Sequence, residues 1–210
     1  MTFWKIFSAL LIGMSVRGAS ASAQANVLDD KSAWLSSLQQ GGYVLYLRHT
    51  ETKKDWADQA SPNLDLSDCA TQRQLSQKGI SQAVQIGQSI ETLKIPFQNV
   101  YSSDYCRAKD TAHYAFRRYT IESRLNFLPC EDCSDLQSAA YASRVRPLLS
   151  TIPPAGTNTI LVGHDDPFEA ATGIYPEPMG VTYVIQPQDL GEFEVKAFIN
   201  PDDWHKFDIK

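Results

Sequence analysis

The chain has 210 residues, 43% of them hydrophobic, and a formal charge of −5 at neutral pH. That size allows one domain with a sizeable core. The acidic balance leaves no basic surface to gather nucleic acid or anionic lipid, so neither is expected as a partner.

The N-terminus reads as a secretory signal peptide over residues 1–25. Lys5 gives a short positive start. Phe7, Leu10, Leu11, Ile12 and Val16 form an apolar run too short to span a bilayer, and Arg17 interrupts its end. "GASASAQA" then offers small residues at signal-peptidase spacing, as Ala21 with Ala23 or Ala23 with Ala25. No later segment approaches about 20 apolar residues, so no stable membrane insertion is expected after cleavage. Residues 26–210 are expected to form one periplasmic or secreted domain.

Export implies an oxidising compartment, and the four cysteines then read as two disulfides. Cys130 and Cys133 form a CxxC with no second thiol pair or histidine nearby, which argues against zinc. Four cysteines allow three pairings. The favoured one is 130–133 with 69–106, and a redox-active CxxC is the competing reading.

In chain order, Leu28, Trp34, Leu35 and Leu38 recur at helical spacing, and Gly41-Gly42 stop that helix. Residues 43–47 form a nearly continuous apolar run, as in a strand covered on both faces. A polar stretch over 50–74 is too irregular for a helix and long enough to be functional or disulfide-pinned. Ser76 is a candidate N-cap for a helix with Ile80, Ala83, Ile86, Ile90 and Leu93 on one face, which Gly79 and Gly87 weaken. A short strand is predicted at 99–102 and helices at 104–118 and 135–149. "NTILVGH" is a second buried strand ending in a histidine, and "VTYVIQP" and "FEVKAFI" form a closing pair. This alternation predicts an α/β fold: three layers, a mostly parallel central sheet, helices on both faces.

Three predicted strand ends carry unusual residues: Arg48-His49, the segment leading to Arg107 at a helix start, and Gly163-His164-Asp165. In open α/β sheets ligands bind beyond the carboxyl ends of the strands. Two histidines and two arginines converging there suit a phosphate, since guanidinium forks match its oxygens and a histidine can attack phosphorus. Arg73 is a candidate for the pocket rim. His113, His205, Arg117-Arg118 and Arg144-Arg146 read as ordinary helix or surface residues, and the aromatic tail is expected to pack on the sheet edge.

The ordered set "LYLRHT", "LSQKGISQA", "YSSDYCRAKDTA" and "TILVGHDD" resembles the motifs of the histidine phosphatase superfamily, the phosphoglycerate-mutase-like proteins, over roughly 41–173. "LSDCATQR" and "EAATG" are most similar to its small exported members. Thr50 departs from the glycine that usually follows the first histidine. The resemblance implies a phosphoglycerate-mutase-like fold and metal-independent, cofactor-free hydrolysis of a phosphomonoester. His49 would attack phosphorus, with Arg48, Arg107 and a protonated His164 holding the oxygens. The family's glutamate position is not matched in "SRLNFLPCED", so the acid is expected to be Asp165 or, one helical turn on, Glu169. Asp166 reads as a helix cap. The substrate would be a small-molecule or glycan phosphomonoester, in a shallow, permissive pocket, since no large insertion is present to cap it. The competing function is a non-catalytic phosphate-binding module without a working acid. Export argues against a mutase role.

Overall fold

A computed structural model describes residues 25–26, 30–54 and 56–207 of the chain. The segment read as a signal peptide, and Leu28 of the first predicted helix, lie outside the described residues, apart from Ala25. The elements are β1 Ala25–Asn26, α1 Lys31–Gln40, β2 Val44–Arg48, α2 Gln77–Thr92, β3 Phe97–Ser102 and α3 Cys106–Phe116. They continue with β4 Thr120–Ile121, α4 Asp135–Leu149, β5 Asn158–Gly163, α5 Asp165–Thr172, β6 Thr182–Pro187 and β7 Phe193–Ile199. The predicted strands and helices fall where hydrophobic period and turn residues place them, within a few residues at the ends, while β1, β4 and α5 had no predicted counterpart.

The strands form one sheet in the order β1-β7-β6-β2-β5-β3-β4. β2, β5, β3 and β4 run parallel, as do β1 and β7, and β6 is antiparallel to both of its neighbours. The expected α/β class, with a mostly parallel sheet, holds.

Alternation along β2 divides the core between two faces. Leu45 and Leu47 pack with Leu38 of α1, Ile86 and Ile90 of α2, and Ala108 and Ala112 of α3. Val44 and Tyr46 pack on the other face with Val145 and Leu149 of α4 and Phe168 of α5. All five β2 residues are buried, which is why the strand reads as a continuous apolar run rather than an alternating one. The C-terminal aromatics do not rest on the sheet edge. Trp204 and Phe207 are buried in the first face of the core.

Ser76 caps α2 by accepting from Gly79 N–H at 3.0 Å. The glycines that weaken α2 as a sequence have a packing reason. A side chain at Gly87 would collide with the Ala115 carbonyl of α3, so the two helices meet backbone to backbone there.

Candidate active site

Parallel pairing of β2, β5 and β3 puts Arg48, Gly163 and Ser102 together at the carboxyl ends of neighbouring strands. The pairing runs one residue further: His49 N–H donates to Gly163 O at 2.9 Å and Ser103 N–H to Val162 O at 3.1 Å. The two imidazoles meet edge to face, with centroids 5.4 Å apart. Tyr46 fixes the second one. Its hydroxyl donates to His164 O at 2.8 Å and accepts from His164 N–H at 2.9 Å. A Cβ at position 163 would occupy the place of that hydroxyl, so Gly163 lets the tyrosine reach.

Hydrogen bonds settle the tautomer of His49. Nδ1 lies 2.9 Å from Thr50 O, which can only accept, so Nδ1 carries the proton and Nε2 keeps its lone pair. Arg73 Nη2 lies 3.3 Å from that lone pair. Thr50, where the family has glycine, is tied to α3: its N–H and hydroxyl both meet Thr111 Oγ1 at 3.1 Å, and Thr111 donates to Arg107 O at 2.8 Å.

His164 Nε2 meets Ser103 Oγ at 2.7 Å. Ser103 Oγ also accepts from Tyr105 N–H at 3.1 Å; with the serine proton turned to Nε2, His164 carries its own proton on Nδ1. The Phe127 ring lies 4.3 Å from the His164 ring.

Three guanidiniums surround these rings. Arg107 is fully buried, and its Nη1 pairs with the equally buried Asp58 at 2.7 Å. Asp58 Oδ2 also accepts from Arg73 N–H at 2.7 Å, so one carboxylate ties two arginines together. Arg48 departs from expectation. Its Nη2 pairs with Asp165 Oδ2 at 2.5 Å, and its Nη1 donates to Pro176 O at 2.8 Å and Glu177 Oε2 at 3.0 Å. Three of its five N–H donors are thus engaged, and Nε has no partner among the described residues. Arg48 Nε, Arg107 Nε and Nη2, and His164 Nδ1 are buried and have no hydrogen-bond partner among the described residues. Each orphan donor costs about 1–3 kcal/mol. Together they describe a receptor for a multiply charged oxyanion.

The field of these cations acts on both imidazoles. Burial first, and then Arg107, Arg73 and Arg48, hold His49 well below the usual histidine range. Burial and Arg107 do the same to His164. Both rings are therefore neutral at pH 7 in this state, which suits His49 as a nucleophile. The protonated His164 expected from sequence is replaced here by a neutral ring. An arriving dianion offsets the arginine charges and favours its protonation.

The family model of the histidine phosphatase superfamily (branch 1) matches residues 44–144. The match spans just under half of the chain, which over that stretch is similar to this superfamily. The match takes in Arg48, His49, Arg73 and Arg107 and stops before His164, which the fold brings to the same place. Sequence comparison with curated proteins finds no match. Among solved structures, a provisionally assigned alpha-ribazole-5′-P phosphatase of Escherichia coli K-12 is similar at 15% identity and TM-score 0.55, covering 77% of this chain and 98% of its own. A phosphoserine phosphatase mutant of Entamoeba histolytica, solved with phosphoserine, gives 16%, 0.53, 74% and 95%. A mycobacterial glucosyl-3-phosphoglycerate phosphatase, solved with VO3, gives 18%, 0.52, 75% and 98%. Identities this low show a common fold.

Within this fold the site residues named from sequence divide. His49, His164, Arg48 and Arg107 converge, and Arg73 joins them as more than a rim residue. Asp165 is 8% exposed and engaged by Arg48, while Glu169, one turn along α5, is exposed. Asp166 is not the cap of α5. His164 is the N-cap and Asp166 the second helical residue. The pairs Cys69–Cys106 and Cys130–Cys133 are disulfides, as favoured from sequence. Three contributors were not anticipated: Asp58, Ser103 and Phe127. Nor is the centre shallow, since His49, His164 and Arg107 are fully buried. A cavity of about 290 Å³ lies outside it, walled by Arg73, Phe127, Asp165, Asp166, Trp56 and Gln59 among others.

Proposed function

We propose that the protein is an exported phosphatase that hydrolyses phosphomonoesters through a phosphohistidine on His49. The similarity of residues 44–144 to the histidine phosphatase superfamily model supports phosphatase activity. The observation that carries the mechanism is the neutral His49, its Nδ1–H fixed by Thr50 O and its Nε2 lone pair turned toward guanidiniums.

In this reading a phosphoryl group enters from the cavity and its oxygens take the orphan donors of Arg107, Arg48 and His164. An oxygen also takes over the Arg73 donor, which uncovers the Nε2 lone pair for in-line attack. The cations and the His164 N–H then hold the equatorial oxygens, where charge collects in the transition state. Water releases phosphate in a second displacement. Asp58 aligns Arg107 and Arg73 without touching substrate.

The alcohol portion lies in the cavity of about 290 Å³ next to Arg73, whose carboxylates Glu131 and Asp166 disfavour a second anionic group there. Two disulfides are compatible with an oxidising compartment, and no helix among the described residues is long and apolar enough to cross a membrane. Cleavage after Ala23 rather than Ala25 preserves the pairing of Ala25–Asn26 with β7.

The test is hydrolysis of p-nitrophenyl phosphate by the oxidised protein in EDTA, beside His49→Ala. Turnover abolished by the substitution supports the proposal. Turnover that survives it excludes His49 as nucleophile.

A further inference from the structure

The leaving alcohol needs a proton, and the two carboxylates expected to give it are poorly placed. Asp165 uses Oδ2 to hold Arg48 and to accept from the Tyr175 hydroxyl at 3.2 Å, and its Oδ1 accepts from Asp166 N–H at 3.2 Å. Donating a proton from there would dismantle the Arg48 pair. Glu169 lines a cavity of about 340 Å³ further out, not the one next to Arg73.

Asp166 stands between them. It is half-buried on the first turn of α5, makes no ion pair among the described residues, and lines both cavities. The inner cavity abuts the two histidines, because Arg73 touches His49 and Phe127 stacks on His164. Asp166 therefore shares with Arg73 and Phe127 the cavity through which an alcohol would leave the phosphoryl centre.

Resting on the phosphohistidine reading, we infer that Asp166 is the catalytic acid for the leaving alcohol and the base for the water that follows. In the first step the bond from His49 Nε2 to phosphorus forms and the ester P–O bond breaks. The departing oxygen takes the Asp166 proton. In the second step water attacks phosphorus and gives one proton to Asp166. The P–N bond breaks, its electron pair returns to Nε2, and hydrogen phosphate leaves.

The surroundings suit both roles. Asp165 and Glu169 face Asp166 from its own helix, Arg48 from β2 and Tyr141 from α4, with Glu131 and Arg73 across the cavities. Burial, then Asp165, then Glu169, push its carboxyl up to about 6, against the opposing pull of Arg48. A carboxyl titrating there exchanges its proton readily near neutral pH.

The experiment compares Asp166→Asn, Asp165→Asn and Glu169→Gln on two esters. The 2,4-dinitrophenolate of one leaves without a proton, whereas the alkoxide of glycerol 2-phosphate needs one. Asp166→Asn is expected to lose about 100-fold or more in kcat/KM on the alkyl ester, and less than about 3-fold on the activated one. The retained activity shows that the variant folds. The alkaline limb of its kcat profile should flatten, and Asp166→Glu should recover part of the alkyl activity. Asp165→Asn, acting through Arg48, should slow both esters alike. Equal losses on both esters in a folded Asp166→Asn, or a loss selective for the alkyl ester in Asp165→Asn or Glu169→Gln instead, overturns the inference. Turnover of the activated ester by the wild type tests the phosphatase reading separately, because it needs no acid.

Discussion

Asp58 and Arg107 form an ion pair at 2.7 Å with neither side chain exposed. The same carboxylate oxygen holds the backbone of Arg73, whose guanidinium rests on His49. A residue from an irregular loop thus sets two of the cations around the nucleophile. Removing one partner of a buried pair strands a charge, at roughly 3–5 kcal/mol. Asp58→Ala should therefore lower stability by about that amount in urea denaturation, and should cut kcat/KM on every ester regardless of its leaving group. A normal denaturation midpoint would show that Arg107 finds another partner.

Arg73 acts on His49 by hydrogen bond and by field. Removing its positive charge relieves part of the depression of the His49 proton affinity. In Arg73→Ala the imidazole then protonates at higher pH, and a protonated Nε2 cannot attack. The acid limb of kcat/KM should move toward neutral pH, and vanadate binding should weaken by about 10-fold or more, as for loss of a charge-assisted hydrogen bond. An unmoved acid limb would detach Arg73 from the nucleophile.

The two disulfides should differ in consequence. Cys106 opens α3 immediately before Arg107, and Cys69 lies four residues before Arg73, so their bond clamps the loop bearing Arg73 to the helix bearing Arg107. Gln72 reinforces the clamp by accepting from Cys106 N–H at 2.8 Å. Cross-linking residues 37 apart constrains the unfolded chain far more than closing the short Cys130–Cys133 loop. Replacing Cys69 and Cys106 with serine should cost about 2–4 kcal/mol and most of the activity. The same exchange at Cys130 and Cys133 should cost less of both. The reverse order would place the active-site clamp elsewhere.

Stability should fall as the medium is acidified from about pH 6.5 to 5. Both site histidines have folded-state proton affinities depressed by burial and by Arg107, so below about pH 6.5 the unfolded chain takes up protons that the folded one refuses. Each histidine contributes about 1.4 kcal/mol per pH unit. Asp166 works the other way. Its carboxyl is raised to about 6, so the folded form gains a proton there first and offsets one histidine below that pH. Urea midpoints at pH 7 and 5, with and without vanadate, check this. Vanadate should shrink the loss by neutralising the arginine field. A midpoint flat across this range would mean that the rings are not held neutral.

Much of this was legible in the sequence because period and position carry it. The continuous apolar run of β2 and the strand-to-histidine ends at His49 and His164 follow from how parallel strands are buried and where their carboxyl ends point. The loop over 50–74 resisted reading. Nothing about Asp58 in a polar stretch announces a buried partner 49 residues away, and only the folded chain brings the loop under α3. Ser103 was closer to hand, since "YSSDYCRA" contains it, but hydrogen-bond order rather than spacing gives it its role on His164. Arg48 shows the converse limit. Its proximity to His49 was plain, yet the engagement of its terminal nitrogens by Asp165, Pro176 and Glu177 depends on a turn far along the chain.

The most direct measurement is a rapid-quench experiment with a labelled phosphomonoester, stopped in base, followed by peptide mapping. The account predicts an acid-labile, base-stable phosphoryl group on the peptide containing His49, formed within one turnover and absent in His49→Ala. Steady turnover with no label on that peptide, or label on His164 instead, would contradict it.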